Sequence, residues 1–317
     1  MGINLRNIRC RIMAKYRIIC LLLILTSSLH GQIETGSWRL HTATMRALDI
    51  AKDDQFIYTA YENGLMKYHV ETKEKSLVNK MNGLSDILLS CLFYDSLDEA
   101  LYIGYKNGNI DKIKGENIVN IPAIKLAGFS GSKNINRFYR SNEGVYVATD
   151  FGVVLINPNK NEIKDTYYPS NGEEPILDIE IQNQKIYALS STKMYVGTVG
   201  NVLLPAPQGW TVDPRIPALV TAKYACLEQV NNDVFVLVKS NEYGNDTILK
   251  LLPTEFQYFD YYSTGLEITN LTQHNGQLDV LADGAVLSYN ASNQLISSAL
   301  SFYLGIYFRD RKSTRLN

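Results

Sequence analysis

The chain has 317 residues, 45% of them hydrophobic, with 31 Lys+Arg against 32 Asp+Glu. Without its basic N-terminal lead and C-terminal tail, the body from Gln32 to Arg309 carries a charge of about −8. That charge excludes electrostatic binding of DNA or RNA, so no nucleic-acid partner is expected.

The first 31 residues read as an export signal. Arg6, Arg9, Arg11, Lys15 and Arg17 form a positive lead, and Ile18 to Leu25 is an apolar core too short to span a bilayer. Met13 is a second possible start, and cleavage is expected after Gly31.

From there the chain repeats. Gly64, Gly108 and Gly152 are 44 residues apart, and Gly284 lies 220 past the first. Each glycine sits in a short polar turn between apolar runs. The first is Ile57-Tyr58-Thr59-Ala60-Tyr61-Glu62-Asn63-Gly64-Leu65-Met66-Lys67-Tyr68, and Asn107-Gly108, Phe151-Gly152 and Asp283-Gly284 hold the same place later. Asn-Gly and Asp-Gly between such runs predict tight hairpins with primed turns, whose residues take positive φ. A period of this length predicts an all-β fold, a β-propeller with four strands per blade. Six blades are visible and a seventh is truncated. Inner strands are predicted at Ala47–Ala51, Leu88–Tyr94, Ile135–Tyr139, Ile176–Ile181, Tyr224–Gln229 and Ile268–Thr272. The turn of blade 4 falls early, at Ser191-Thr192-Lys193, and that of blade 5 late, at 241–246. No helical periodicity follows residue 32. The propeller is placed at 32–309. Residues 310–317 can be back-translated as GAT CGG AAG AGC ACA CGT CTG AAC, which resembles a sequencing adapter. They are read as non-native, with the natural protein continuing past Phe308.

Chemistry-bearing motifs are few. His41, His69 and His274 have no companion at metal-ligand spacing, and there is no nucleophile elbow or phosphate loop, so neither metal nor cofactor is expected. Cys91 and Cys226 read as buried small hydrophobes in distant blades. Asp49, Asp111, Asp178 and Asp279 recur near strands. Gathered in a channel, paired carboxylates could hydrolyse glycosides; the favoured reading is that they accept hydrogen bonds from nearby amides. Tyr258, Phe259, Tyr261 and Tyr262 form an aromatic run able to stack on sugar rings. An ordinary outer strand leading into a turn is the competing and favoured reading.

The stretch Met81-Asn82-Gly83-Leu84-Ser85-Asp86, followed by Leu92-Phe93-Tyr94-Asp95 and Tyr102-Ile103-Gly104-Tyr105-Lys106-Asn107-Gly108-Asn109-Ile110-Asp111, resembles the first propeller of the PorZ family. These proteins belong to the type IX secretion system of Bacteroidetes. The resemblance is strongest from Trp38 to about Ile121. It implies a longer protein with two seven-bladed propellers and a C-terminal β-sandwich sorting domain, in which Gly36-Ser37-Trp38-Arg39-Leu40-His41, with Trp38 and Leu40, would be the strand that closes the first ring. It further implies a non-catalytic component, exported to the periplasm and then to the outer-membrane surface. There it would work with the sortase PorU and with PorV and PorQ, binding anionic lipopolysaccharide and presenting it to the sortase. The hairpins also resemble the sensor propellers of hybrid two-component regulators, so a ligand-sensing periplasmic domain is the alternative.

Overall fold

The computed structural model describes residues 47–217, 219, 221–259, 267–283, 285–290, 292–302 and 305–310, the side chains as far as Ala299. The chain divides into two compact units, Met1–Thr42 and Ala43–Asn317. The first lies outside the described residues, and with it the expected signal segment and the strand bearing Trp38 and Leu40.

The second unit contains six antiparallel sheets. Blade 1 is β1 (Asp49–Lys52), β2 (Phe56–Tyr61), β3 (Gly64–His69) and β4 (Lys75–Val78). Blade 2 is β5 (Leu89–Asp95), β6 (Ala100–Tyr105), β7 (Ile110–Lys114) and β8 (Asn117–Ile121), followed by a one-turn helix, α1 (Ala123–Leu126). Blade 3 is β9 (Ile135–Ser141), β10 (Gly144–Thr149), β11 (Gly152–Asn157) and β12 (Glu162–Tyr167). Blade 4 is β13 (Asp178–Gln182), β14 (Lys185–Leu189), β15 (Met194–Thr198) and β16 (Thr211–Val212), the last preceded by a 3-10 turn at Pro207–Gly209. Blade 5 is β17 (Ala222–Val230), β18 (Asp233–Ser240), β19 (Thr247–Leu251) and β20 (Phe256–Tyr258). Blade 6 is β21 (Ile268–His274), β22 (Gln277–Ala282), β23 (Ala285–Tyr289) and β24 (Leu295–Phe302), and it carries a fifth strand, β25 (Gly305–Asp310). The all-β propeller with four-stranded blades is therefore borne out. Helix is confined to α1 and the 3-10 turn among the described residues, two elements the sequence pattern did not announce.

Consecutive blades meet through their inner strands: β1 lies against β5, β5 against β9, β9 against β13, β13 against β17 and β17 against β21. Apolar side chains fill each junction. Leu65, Leu89 and Ile103 pack between blades 1 and 2, and Tyr102, Ile135 and Phe138 between blades 2 and 3. Tyr146, Ile179 and Trp210 fill the next junction, then Leu189, Tyr224 and Val236, then Phe235, Leu271 and Leu278. A strand with a blade on either side buries both faces. This is why β6 and β10 are buried along their whole length and show no polar alternation.

The turn chemistry differs from the primed-turn expectation. In the second hairpins, Glu62-Asn63, Lys106-Asn107 and Asp150-Phe151 all have negative φ, so these are not primed turns. The primed geometry sits instead in the first hairpins of blades 4 and 6, where Asn183-Gln184 and Asn275-Gly276 are positive at both residues. The glycine after the second-hairpin turn answers a different demand. At Gly152, φ is 152° and a Cβ would lie 2.3 Å from the carbonyl oxygen of Tyr167 at the end of β12. At Gly64 the corresponding carbonyl is that of Val78 at the end of β4, 3.0 Å away. The outer strand closes so tightly over the start of the third strand that no side chain fits. Gly284 and the turn it was assigned lie partly outside the described residues; Asp283 is described and donates its amide to the Glu267 carbonyl.

Gly152→Ala is expected to destabilise the fold by about 2–4 kcal/mol, through strain and overpacking together. Gly115→Ala is its control. Its φ is 60° and nothing lies within 4 Å of the added Cβ, so it should cost only about 1–2 kcal/mol. Denaturant midpoints of the two variants measure the difference, and equal losses would contradict the close-approach explanation.

Candidate functional site

One position on each inner strand faces the neighbouring blade at the centre. Cross-strand register identifies it as Asp49, Cys91, Arg137, Asp178, Cys226 and Asn270, paired with Ala60, Gly104, Ala148, Leu189, Leu237 and Leu281. In blades 2, 3, 5 and 6 a β-bulge immediately precedes it, which re-aims the side chain.

In the first five blades this residue reaches the blade that follows. Asp49 Oδ2 accepts the Leu92 amide at 2.8 Å. The Cys91 thiol donates to the Ile135 carbonyl at 3.6 Å. Gly104 makes room for that sulfur, since a Cβ there would lie 2.8 Å from it. Arg137 Nε lies 3.7 Å from Asp178 Oδ1. Asp178 Oδ2 accepts the Leu227 amide at 2.9 Å. The Cys226 sulfur lies against the Leu271 amide. Two residues further along, the link repeats. The Tyr139 hydroxyl donates to the Ile181 carbonyl at 3.2 Å, and Glu180 and Glu228 accept from the backbones of Gln229 and Gln273.

Arg137 extends from blade 3 past blade 4 to blade 5, where its Nη2 lies 3.9 Å from Glu228 Oε2. The Asp178 charge beside it raises the guanidinium pKa, so it is cationic at any working pH. Burial pushes the Asp49 and Asp178 carboxyls up, against the pull of amides and of Arg137. Burial raises Glu228 to about 7 despite the pull of Arg137. Glu180 rises well above the usual carboxylate range through burial and then the charges of Asp178 and Glu228. Burial also raises both cysteine thiols, Cys226 to about 12, which keeps them protonated and inert. Both are free and buried, as the sequence implied.

The carboxylates weighed as catalytic groups are occupied structurally. Asp49 and Asp178 each accept two amides, one from the next blade. Asp111 accepts the Ser85 amide, the Tyr105 hydroxyl and the Asn120 amide nitrogen, ordering the adjoining turn as expected. Asp279 lies in β22, away from the central position, opposite Thr272 and Ser288. Arg137, Glu180 and Glu228 escaped the sequence reading. Their signal was present, as charged residues inside otherwise apolar inner strands.

The motif at 81–86 is a brace across blades 1 and 2. Asn82 accepts the Asn79 amide at 2.6 Å and donates to the Leu77 carbonyl at 2.8 Å, which folds the connector back on β4. Leu84 is buried in the junction. Asp86 then takes Lys125 at 2.6 Å, Asn107 at 2.6 Å and Lys80 at 3.4 Å. These partners outweigh its burial and hold its carboxyl well below the usual range. Asn107, assigned as a turn residue, thus also anchors the connector, while Gly108, at φ 85°, lets the turn pass under Ile124 and Lys133.

The aromatic run is divided. Phe259 is a correction to the sugar-stacking assignment. It is buried, edge-on to Phe235 at 5.3 Å and to Tyr289 at 5.2 Å, so its faces belong to the core. Tyr258 ends the outer strand β20, 65% exposed, with Phe256 edge-on at 5.4 Å. Tyr261 and Tyr262 lie outside the described residues. No group of His, Cys, Asp or Glu among the described residues is arranged to hold a metal ion. No helix among them is long and apolar enough to cross a membrane.

Residues 57–211, which run from blade 1 into blade 4 and include the brace, match the family described as the type IX secretion system PorZ N-terminal β-propeller domain. Over this stretch the chain carries a propeller domain of the PorZ N-terminal type. Among solved structures it is similar to PorZ of Porphyromonas gingivalis, described as an essential bacterial surface component of the type IX secretion system. The identity is 18% and the TM-score 0.68, over 84% of this chain and 38% of that one. It is also similar to an extracellular domain from B. thetaiotaomicron described as that of a one-component system. There the identity is 11% and the TM-score 0.51, over 89% of this chain and 48% of the other. A second structure of that same extracellular domain, described there as part of a hybrid two-component system, gives 13% and 0.49, over 85% and 47%. At these identities the likeness is one of fold. The chain spans 38% of the P. gingivalis PorZ chain. No curated protein sequence matches it.

Asp178→Ala removes both the Leu227 acceptor and the partner of Arg137, and should cost about 3–5 kcal/mol. Hydrogen exchange is the discriminating measurement. Protection should fall first at Leu227 and its neighbours in β17, with β5 and β6 keeping theirs. A uniform loss across all blades would contradict the assignment of Asp178 to the junction of blades 4 and 5.

Proposed function

We propose that this chain is a non-catalytic surface component of type IX secretion. It binds anionic lipopolysaccharide and presents it to the sortase of an attachment complex, with PorU, PorV and PorQ as partners. The observation that carries this reading is the family match over residues 57–211, which contains the brace from Met81 to Asp86 and its anchor at Asn107. The occupied state of the central carboxylates supports a non-catalytic role. A glycosidase needs two carboxyl groups free to exchange a proton with substrate, whereas Asp49 and Asp178 hold backbone amides. Export to the periplasm and then the surface follows from the basic, apolar-cored segment at 1–31, and the propeller is the first of the two expected in the full protein. Tyr258 is the exposed aromatic available for stacking on a sugar. The sensor alternative shares the architecture and lacks a family match of its own.

Surface plasmon resonance of the exported chain over immobilised anionic lipopolysaccharide tests the reading. Binding is expected, and it should be lost when the anionic groups of the lipopolysaccharide are removed. Equal response to a lipopolysaccharide stripped of its anionic groups, or no response to either, would overturn it.

A further inference from the structure

The central cluster places one cation against four carboxyl groups drawn from three other blades. We propose that Arg137, Asp178, Glu180 and Glu228 form a proton-operated clasp that joins blades 3, 4 and 5 across the centre of the propeller.

The geometry carries this. Arg137 spans a whole blade, with Asp178 at 3.7 Å on one side and Glu228 at 3.9 Å on the other. The side chains of Asp178 and Glu228 keep 4% and 11% of their exposure, while that of Arg137 keeps 31%. The clasp is therefore walled by protein, yet solvent touches its cation. Asp178 and Glu180 stand two residues apart on the same face of β13, and both face Glu228 on β17. One guanidinium cannot neutralise three adjacent carboxylates, so a proton is the simplest fifth member.

Among the described residues the surroundings offer no second cation. Asp49 of β1 adds another acid. From β5 the facing group is the Cys91 thiol, and from β9 the Tyr139 phenol. The remaining group on β17 is the Cys226 thiol, and β21 presents the backbones of Leu271 and Gln273. Both thiols and the phenol stay neutral through the physiological range, because burial raises each of them. The proton thus resides on the Glu180–Glu228 pair.

The direction of the linkage follows. A carboxyl group whose pKa is higher folded than unfolded makes the folded state bind more protons between the two values. Stability then falls as pH rises through that window. For Glu228 the window runs from 4.5 to about 7, and Glu180 shifts in the same direction. The ion-paired carboxyls Asp86, Asp98 and Glu174 are shifted the other way, so their contribution is lost below this window, in acid.

The test is urea denaturation of the full chain across the range from about pH 5 to pH 8. The folding equilibrium constant should fall on the order of 100-fold over that range, since each pH unit is worth up to about tenfold per proton released. Glu228→Gln and Glu180→Gln should each flatten the profile. Should either variant fail to fold, carbon-13 NMR of the wild-type chain labelled at glutamate carboxyl carbons supplies the second measurement. A glutamate titrating near neutrality, absent in whichever variant does fold, supports the clasp. A wild-type profile flat across the window, glutamates that all titrate in the ordinary acidic range, or glutamine variants with the wild-type slope would each overturn it.

Discussion

The contact on which the propeller depends is a hydrogen bond from a backbone amide of one blade to a side chain of the blade before it. Inner strands of successive blades lie against one another but belong to separate sheets. Amides on their facing edges have no ladder partner, and an orphaned buried amide costs about 1–3 kcal/mol. Asp49 and Asp178 solve this with a carboxylate oxygen aimed at Leu92 and Leu227. The solution brings its own problem, because a charge now sits in the core. Arg137 answers for Asp178, Glu228 comes with Arg137, and a chain of polar residues follows from one missing pair of strands.

The period of 44 residues made the architecture legible, because blade length is set by four strands and their turns. The inner-strand positions came through within a few residues for the same reason. Turn geometry did not. Asn63-Gly64 carries the composition of a primed turn, but its glycine answers to the close Val78 carbonyl, at 3.0 Å from a built Cβ, and not to the φ of the turn. Composition reports that a side chain is excluded and not which neighbour excludes it. Asn183-Gln184 reached the primed geometry with a pair that carries no glycine.

The central cluster was half legible. Asp178 stood out as an acid near a strand, while Arg137, Glu180 and Glu228 were hidden because they lie 41 to 91 residues from one another or share a strand with it. Phe259 was grouped with its neighbours because aromatic residues in a run look alike in sequence, whereas alternation along the chain sends Tyr258 outward and Phe259 inward. The family resemblance was carried by residues whose structural work is now visible. Asn82, Leu84, Asp86, Asn107 and Asp111 fasten a connector to a hairpin. Such residues mark kinship through the frame they hold.

The six central positions are Asp, Cys, Arg, Asp, Cys and Asn, although the blades that present them are copies of one design. A chain built from similar repeats risks docking a blade on the wrong neighbour while it folds. Here no two successive junctions use the same chemistry. A thiol seeks a carbonyl, a carboxylate an amide, and a guanidinium an acid, so a blade that skips its proper neighbour leaves a charge or a donor stranded. The junctions themselves thus help to fix which blade docks on which, alongside the order in which the blades are made.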